Sequence, residues 1–202
     1  MCKEKIEDIK ALSVREEAGR DIIKKLTGRT DVEVLVDPTM MLSQEEWEKV
    51  MKKPESLKTD KFIVKSFLGN ISDEAWKEIR RIADENDCEI IDISDPNSPY
   101  FDMGPAEFLY LEKNAFLVVT DSFHACVFSI IFSTPFIVFE REDDEASMHS
   151  RIDTLLKTFK MENKIFDKKI SSDILDYDYT EAHKILEKER SRVTEFLKKS
   201  LV

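Results

Sequence analysis

His124 is one of three histidines in a chain of 202 residues and stands in the stretch TDSFHACVFS. An apolar run, Phe116-Leu117-Val118-Val119, precedes it and a second, Ile130-Ile131-Phe132, follows. The pattern reads as a buried strand handing over to a buried helix, with Asp121 or Ser122 as the N-cap and Phe123 and His124 in the first turn. Backbone N–H groups in a first turn lack intrahelical partners and sit at the positive end of the helix dipole, so they suit a phosphate or carboxylate. An imidazole there adds a proton donor to the same anion. Positive charge is disfavoured beside a helix start and favoured again by a bound phosphate dianion, which gives an acid that becomes competent when substrate is present. The alternative is a half-buried imidazole bonded to a neighbouring carbonyl, and spacing alone leaves both readings open.

Three arginines fall at other strand ends: Arg15 after the first strand pattern, Arg141 after the last, and Arg151 at the start of the following helix. Guanidinium groups bind carboxylate and phosphate in bidentate geometry, so together they are candidates for holding an anionic substrate. Each also fits a solvated ion pair, for instance Arg15 with Glu16 or Glu17. His149 is a weaker candidate, and His183 reads as a surface residue of the last helix. No GxGxxG, Walker A, CxxC or HExxH pattern occurs, and four glycines in the whole chain make a glycine-rich nucleotide loop implausible.

The elements that must position these residues alternate. Strand patterns at 11–14, 32–36, 61–67, 88–93, 116–119 and 136–139 are separated by helical spacing. Gly28 is placed to end the first of these helices, Ser43 with Glu46 to form a capping box, Ser72 to cap the next, and Pro105 to open another. Helices at 122–132, 152–159 and 180–201 complete the chain. About six strands alternating with helices predict an α/β fold, doubly wound, with a mostly parallel sheet covered on both faces. Ligands in such sheets bind beyond the carboxyl ends of the strands. The loops to watch are therefore 15–17, 37–39, 68–70, 120–122 and 140–141.

A net charge of -11 argues against general nucleic-acid binding, which needs a positive surface. No apolar run approaches the roughly 18 residues of a membrane span. Three cysteines without metal-like spacing, two of them in patterns that read as buried, fit a reducing compartment. The charged opening MCKEKIEDIK has no signal-peptide character, and a cytoplasmic location is expected.

The segments ALSVREEAGRDIIKKLTGR, VLVDPTMML, FIVKSFLGN, GPAEFLYLEKNAFLVVTDSFHACVFSIIFSTPFIVF and SRIDTLLK, in order, resemble the carboxyl-terminal half of polysaccharide pyruvyl transferases. The resemblance implies a transferase of exopolysaccharide biosynthesis that moves a pyruvyl group from phosphoenolpyruvate to a hydroxyl pair of a glycan or lipid-linked sugar, forming a ketal. It implies Rossmann-like domains in a GT-B-like arrangement, with no metal or organic cofactor. Residues 1–160 would be the donor-side domain and 161–202 a loop and helix packed on it, with the family's amino-terminal domain absent and this piece inactive by itself. His124 matches the family's active-site histidine, and Arg15 a basic position associated with phosphoenolpyruvate. Ser122 and Phe123 of the same motif, with Arg151 and Arg141, complete the expected substrate-binding set. The family's usual glycine after the histidine is Ala125 here. Two other readings stay open: half of a GT-B glycosyltransferase that binds a nucleotide sugar, and a non-catalytic binding module of the same fold.

Overall fold

A computed structural model describes residues 2–141 and 149–201 of the chain. Helix α1 (Cys2–Glu7) precedes β1 (Ser13–Val14), α2 (Glu17–Thr27) and β2 (Glu33–Val34). A 3-10 turn at Pro38–Met41 and α3 (Gln44–Glu48) lead to β3 (Phe62–Ser66), α4 (Asp73–Glu85) and β4 (Glu89–Asp92). Then come α5 (Pro105–Asn114), β5 (Leu117–Thr120), α6 (Phe123–Phe132), β6 (Phe136–Val138) and α7 (His149–Phe159). A second 3-10 turn at Glu162–Lys164, α8 (Ser172–Leu175) and α9 (Thr180–Ser200) follow.

Local chemistry sets the boundaries. Gly28 ends α2 with φ at 78°, a left-handed conformation open to glycine at no steric cost, and its N–H reaches Lys24 O. Ser43 and Glu46 form the reciprocal capping box of α3. The Ser72 hydroxyl accepts from Ala75 N at 3.2 Å, and Pro105 occupies the first turn of α5.

Strands β3, β5 and β6 are apolar and buried nearly throughout, and they form a parallel sheet in the order β4-β3-β5-β6. Alternate residues feed two cores, as the pleat requires. Phe62, Val64, Val118 and Phe136 face a core shared with α5, α6, α7 and α9. Ile63, Leu117, Val119 and Ile137 face one shared with α4 and α8. Helices thus cover both faces, and the fold is α/β and doubly wound.

The expected single sheet of about six strands is divided. Among the described residues β1 and β2 pair in parallel only with each other, with Ser13 opposite Glu33 and Val14 opposite Val34. Ser13 and Glu33 are exposed, so these strands have an apolar side on one face alone and do not suit a sheet buried on two. Helix α9 ties the small sheet down: Arg192 Nη2 donates to Val34 O at 2.7 Å, and Arg190 Nε to Met40 O at 2.7 Å.

Glu112 and Lys164 are fully buried. Glu112 on α5 accepts from Ser129 Oγ at 3.3 Å through Oε2, while Oε1 has no hydrogen-bond partner among the described residues. Burial pushes its carboxyl well above the ordinary range, and the bond from Ser129 offsets only part of that. Lys164 lies 3.9 Å from the Tyr177 ring and 5.6 Å from those of Phe136 and Tyr179, and burial lowers its ammonium to about 8. Among the described residues no helix is long and apolar enough to cross a membrane.

Candidate functional site

The turn from β5 into α6 is fixed by Thr120, whose hydroxyl donates to Ser66 O at 2.7 Å and accepts from Ser122 N at 2.9 Å. Ser122 is the N-cap in extended conformation, and its side chain makes no capping bond. The first-turn N–H groups of α6 are therefore not filled by their own cap. Phe123 turns inward and is 7% exposed, while the His124 side chain is 49% exposed. Ala125, at the family's usual glycine position, is wholly buried and joins the core, so its methyl group packs inward.

Arg15 follows β1 and Asp37 follows β2, and the parallel pairing of the two strands brings both residues to the same end. Arg15 Nη1 donates to Asp37 Oδ2 at 2.6 Å. Asp37 Oδ1 accepts from Thr39 N at 3.0 Å and from the Thr39 hydroxyl at 2.8 Å. Burial pushes the Asp37 carboxyl up, but the bonds from Arg15 and Thr39 outweigh it and hold the group below the ordinary carboxylate range. His124 Nε2 is 3.9 Å from the same Oδ2, too long for a hydrogen bond.

Phe123 is where the set converges. The Arg15 guanidinium is 5.9 Å from its ring centroid, Arg151 of α7 is 5.6 Å away, and the His124 ring meets it edge-on at 5.4 Å. Both arginines are within reach of a cation–π interaction. Arg15, Phe123, His124 and Arg151 are thus brought together from β1, α6 and α7, and Ser122 stands beside them at the helix start. The partner of Arg15 is Asp37, not the adjacent Glu16 or Glu17.

Arg141 has a different setting. Its Nε donates to Asp121 Oδ2 at 2.6 Å, and that carboxylate also accepts from Leu68 N at 2.7 Å and Gly69 N at 2.9 Å. The Arg141 side chain is 8% exposed and that of Asp121 fully buried. Its guanidinium joins the loops after β3 and β5, and it is Asp37 that shares the ground around Phe123 and His124.

His183, expected on the surface, is half-buried, because Nε2 lies 3.2 Å from both Ile130 O and Ser133 Oγ at the end of α6. The His149 side chain lies outside the described residues.

The family model for polysaccharide pyruvyl transferase matches residues 1–143. The chain belongs to the polysaccharide pyruvyl transferase family. Membership makes it a transferase by family, with pyruvyl transfer as the general role and a polysaccharide as the acceptor class. In this pyruvyl transferase the matched span contains Arg15, Asp37, Phe123 and His124 and ends ahead of Arg151. No curated protein matches the chain.

Asp37 is not among the residues that spacing singles out, although its loop, 37–39, is one of those at a strand end. The available signal was its place in Asp37-Pro38-Thr39 at the carboxyl end of a strand. That tripeptide is also a good turn opener, with Asp accepting from the backbone two residues on, so its turn chemistry hid its second contact.

Proposed function

We propose that Arg15, Phe123, His124 and Arg151 form the phosphoenolpyruvate side of a pyruvyl transferase site, with Asp37 as the residue that positions Arg15. The observation that carries this is the convergence of two guanidiniums on the Phe123 ring beside a half-exposed histidine in the first turn of α6. Two guanidiniums and the unfilled helix N–H groups suit a ligand with both a carboxylate and a phosphate.

The reaction balances on these groups. The enol methylene carbon takes one proton and becomes a methyl group. Two sugar oxygens bond to the adjacent carbon, its bond to the phosphate oxygen breaks, and orthophosphate leaves. Of the two hydroxyl protons released, one replaces that delivered to carbon and the other leaves with phosphate. His124 is the proton carrier in reach. Arg15 and Arg151 neutralise the phosphate and carboxylate, and Arg141 supports the loops behind the site. The scheme draws on no metal or organic cofactor.

Isothermal titration with phosphoenolpyruvate, together with phosphate release in the presence of acceptor, tests the assignment. Arg15→Ala should weaken donor binding by at least about tenfold, the loss of one charge-assisted contact. His124→Ala should leave binding within a few-fold and lower turnover by about 100-fold or more, as removal of an acid–base group does. Unchanged affinity and turnover in both variants would sink the assignment.

A further inference from the structure

Glu16 and Ser150 are chain neighbours of the two converging arginines, Glu16 following Arg15 and Ser150 preceding Arg151. They also meet in space: Ser150 Oγ donates to Glu16 Oε2 across 134 positions of sequence. Glu16 is the N-cap of α2, yet its carboxylate makes no capping bond there. It is turned instead to the first turn of α7, where the positive end of the helix favours a carboxylate. A second bond repeats the connection one residue on. Glu17 N, a first-turn N–H without an intrahelical partner, donates to Thr154 Oγ1 at 3.4 Å, and that hydroxyl donates to Ser150 O at 2.8 Å. Ser150 and Thr154 stand at i and i+4 and so share one face of α7.

The division of the sheet gives these bonds their importance. Arg15 follows β1 of the small sheet, whereas Arg151 rides on α7, which comes after β6 of the main sheet. Among the described residues no strand pairing joins the two sheets. The bond from Arg15 to Asp37 stays within the small sheet, because Asp37 follows β2. The ties from α9 reach β2 and the 3-10 turn after it, not the start of α2. The separation of the two guanidiniums therefore depends on how the start of α2 is held against the start of α7. Phe123, almost fully buried, is the fixed body between them, with Arg15 5.9 Å and Arg151 5.6 Å from its ring centroid. A ligand with two anionic ends gains most when that separation is set beforehand, since otherwise binding must also order two long side chains and the helix starts that carry them.

We infer that Glu16 and Ser150 are positioning residues, whose hydrogen bond, reinforced by Thr154, sets the spacing of Arg15 and Arg151 for a ligand anionic at both ends. The inference rests on the assignment of phosphoenolpyruvate to these arginines, and it gives neither Glu16 nor Ser150 a contact with the ligand.

Isothermal titration of the whole chain with phosphoenolpyruvate and, as a probe with a single anionic group, inorganic phosphate tests it. The quantity read is the ratio of the two affinities, in which the general effect of removing a charge from beside an anion largely cancels. Ser150→Ala and Glu16→Ala should each lower the ratio by about three- to tenfold, the scale of ordering a long side chain on binding. The double variant should fall no further than either single one, because both remove the same bond. Glu16→Gln, which keeps an acceptor for the Ser150 hydroxyl, should restore the ratio toward that of wild type. Ser150→Ala removes one oxygen from a half-buried position and decides the matter if Glu16→Ala does not fold. An unchanged ratio in Ser150→Ala overturns the inference, whether both ligands keep their affinity or lose it together. So do additive losses in the double variant, or a Glu16→Gln variant that behaves as Glu16→Ala. If phosphoenolpyruvate is still weakened by Arg15→Ala and by Arg151→Ala under any of those outcomes, the donor assignment stands and the positioning pair alone falls. Phosphoenolpyruvate binding to wild type no more tightly than phosphate would remove the donor assignment and the pair with it.

Discussion

The carboxylate of Asp37 and the guanidinium of Arg15 meet at 2.6 Å across the ends of two parallel strands, and the shared oxygen faces His124 Nε2 at 3.9 Å. Three segments far apart in the chain are thereby set on one carboxylate. That carboxylate is 3% exposed, so its charge is poorly screened and its direction is fixed by Thr39 from the other side.

Replacing Asp37 separates its roles. Asp37→Asn keeps an acceptor for Thr39 but removes the charge that holds Arg15 and faces His124 at 3.9 Å. The expected cost is about 1–2 kcal/mol of stability by urea unfolding, since Arg15 is exposed enough to be solvated alone. Turnover should fall more than donor affinity. The pH dependence has a definite sign. The folded-state carboxyl lies below its ordinary 3.8, so its contribution is present above 3.8 and is lost as pH falls from there through the folded value. Acid unfolding of the Asn variant should lack that component, and coincident acid limbs for the two proteins would count against the pairing.

Phe123 supplies an aromatic face to two guanidiniums, and Leu retains most of its apolar bulk without that face. Phe123→Leu should cost about 1–2 kcal/mol of stability, the scale of a volume-conserving core change. It should also weaken phosphoenolpyruvate by about three- to tenfold, because each cation–π contact holding an arginine in place is worth roughly 0.5–1 kcal/mol. Calorimetry on the folded variant checks the second figure; native donor affinity would mean that the ring serves packing alone.

Much of this arrangement was open to a reader of the sequence, and what was hidden has a common cause. Gly28, Ser43 with Glu46, Ser72 and Pro105 act within a few residues of themselves, and each ends or begins a helix as its chemistry predicts. Strand positions follow from local apolar runs. Pairing is a long-range property: whether β1 and β2 join the main sheet depends on which faces other elements cover, and the two-residue strands carry too little pattern to say. Arg15, Phe123, His124 and Arg151 could be singled out because each sits at an element end. Partners could not be assigned, because Asp37 is 22 residues from Arg15 and Asp121 is 20 from Arg141.

The Arg141–Asp121 pair makes its own prediction through Gly69. A β-carbon built at Gly69 would stand 2.7 Å from Arg141 Cδ and 3.0 Å from Cγ. Those atoms cannot swing aside without pulling the guanidinium from Asp121. Gly69→Ala should therefore destabilise by about 1–3 kcal/mol, as overpacking does. In a double-mutant cycle with Arg141→Ala the two effects should be strongly non-additive, since removing the arginine removes the clash. Simple additivity in thermal or urea unfolding would show that the loop moves instead.

Lys164 offers a test of the core remote from the site. Its ammonium is enclosed by Tyr177, Phe136 and Tyr179, donates to Ile174 O at 3.3 Å, and is lowered by burial to about 8 from an ordinary 10.5. Between those two values the unfolded chain binds more protons at this position than the folded one. Stability must therefore rise with pH across that window and is at its lower level below 8, where both states are charged. Lys164→Met keeps a flexible apolar stem and removes the titration. Wild type should gain stability relative to the Met variant between pH 8 and 10.5, with no change in their difference between pH 6 and 7, as read from urea midpoints at matched ionic strength. Parallel curves across the whole range would mean that Lys164 keeps its ordinary proton affinity in the folded protein and that the aromatic cage, with the Ile174 carbonyl, offsets the loss of water around the charge.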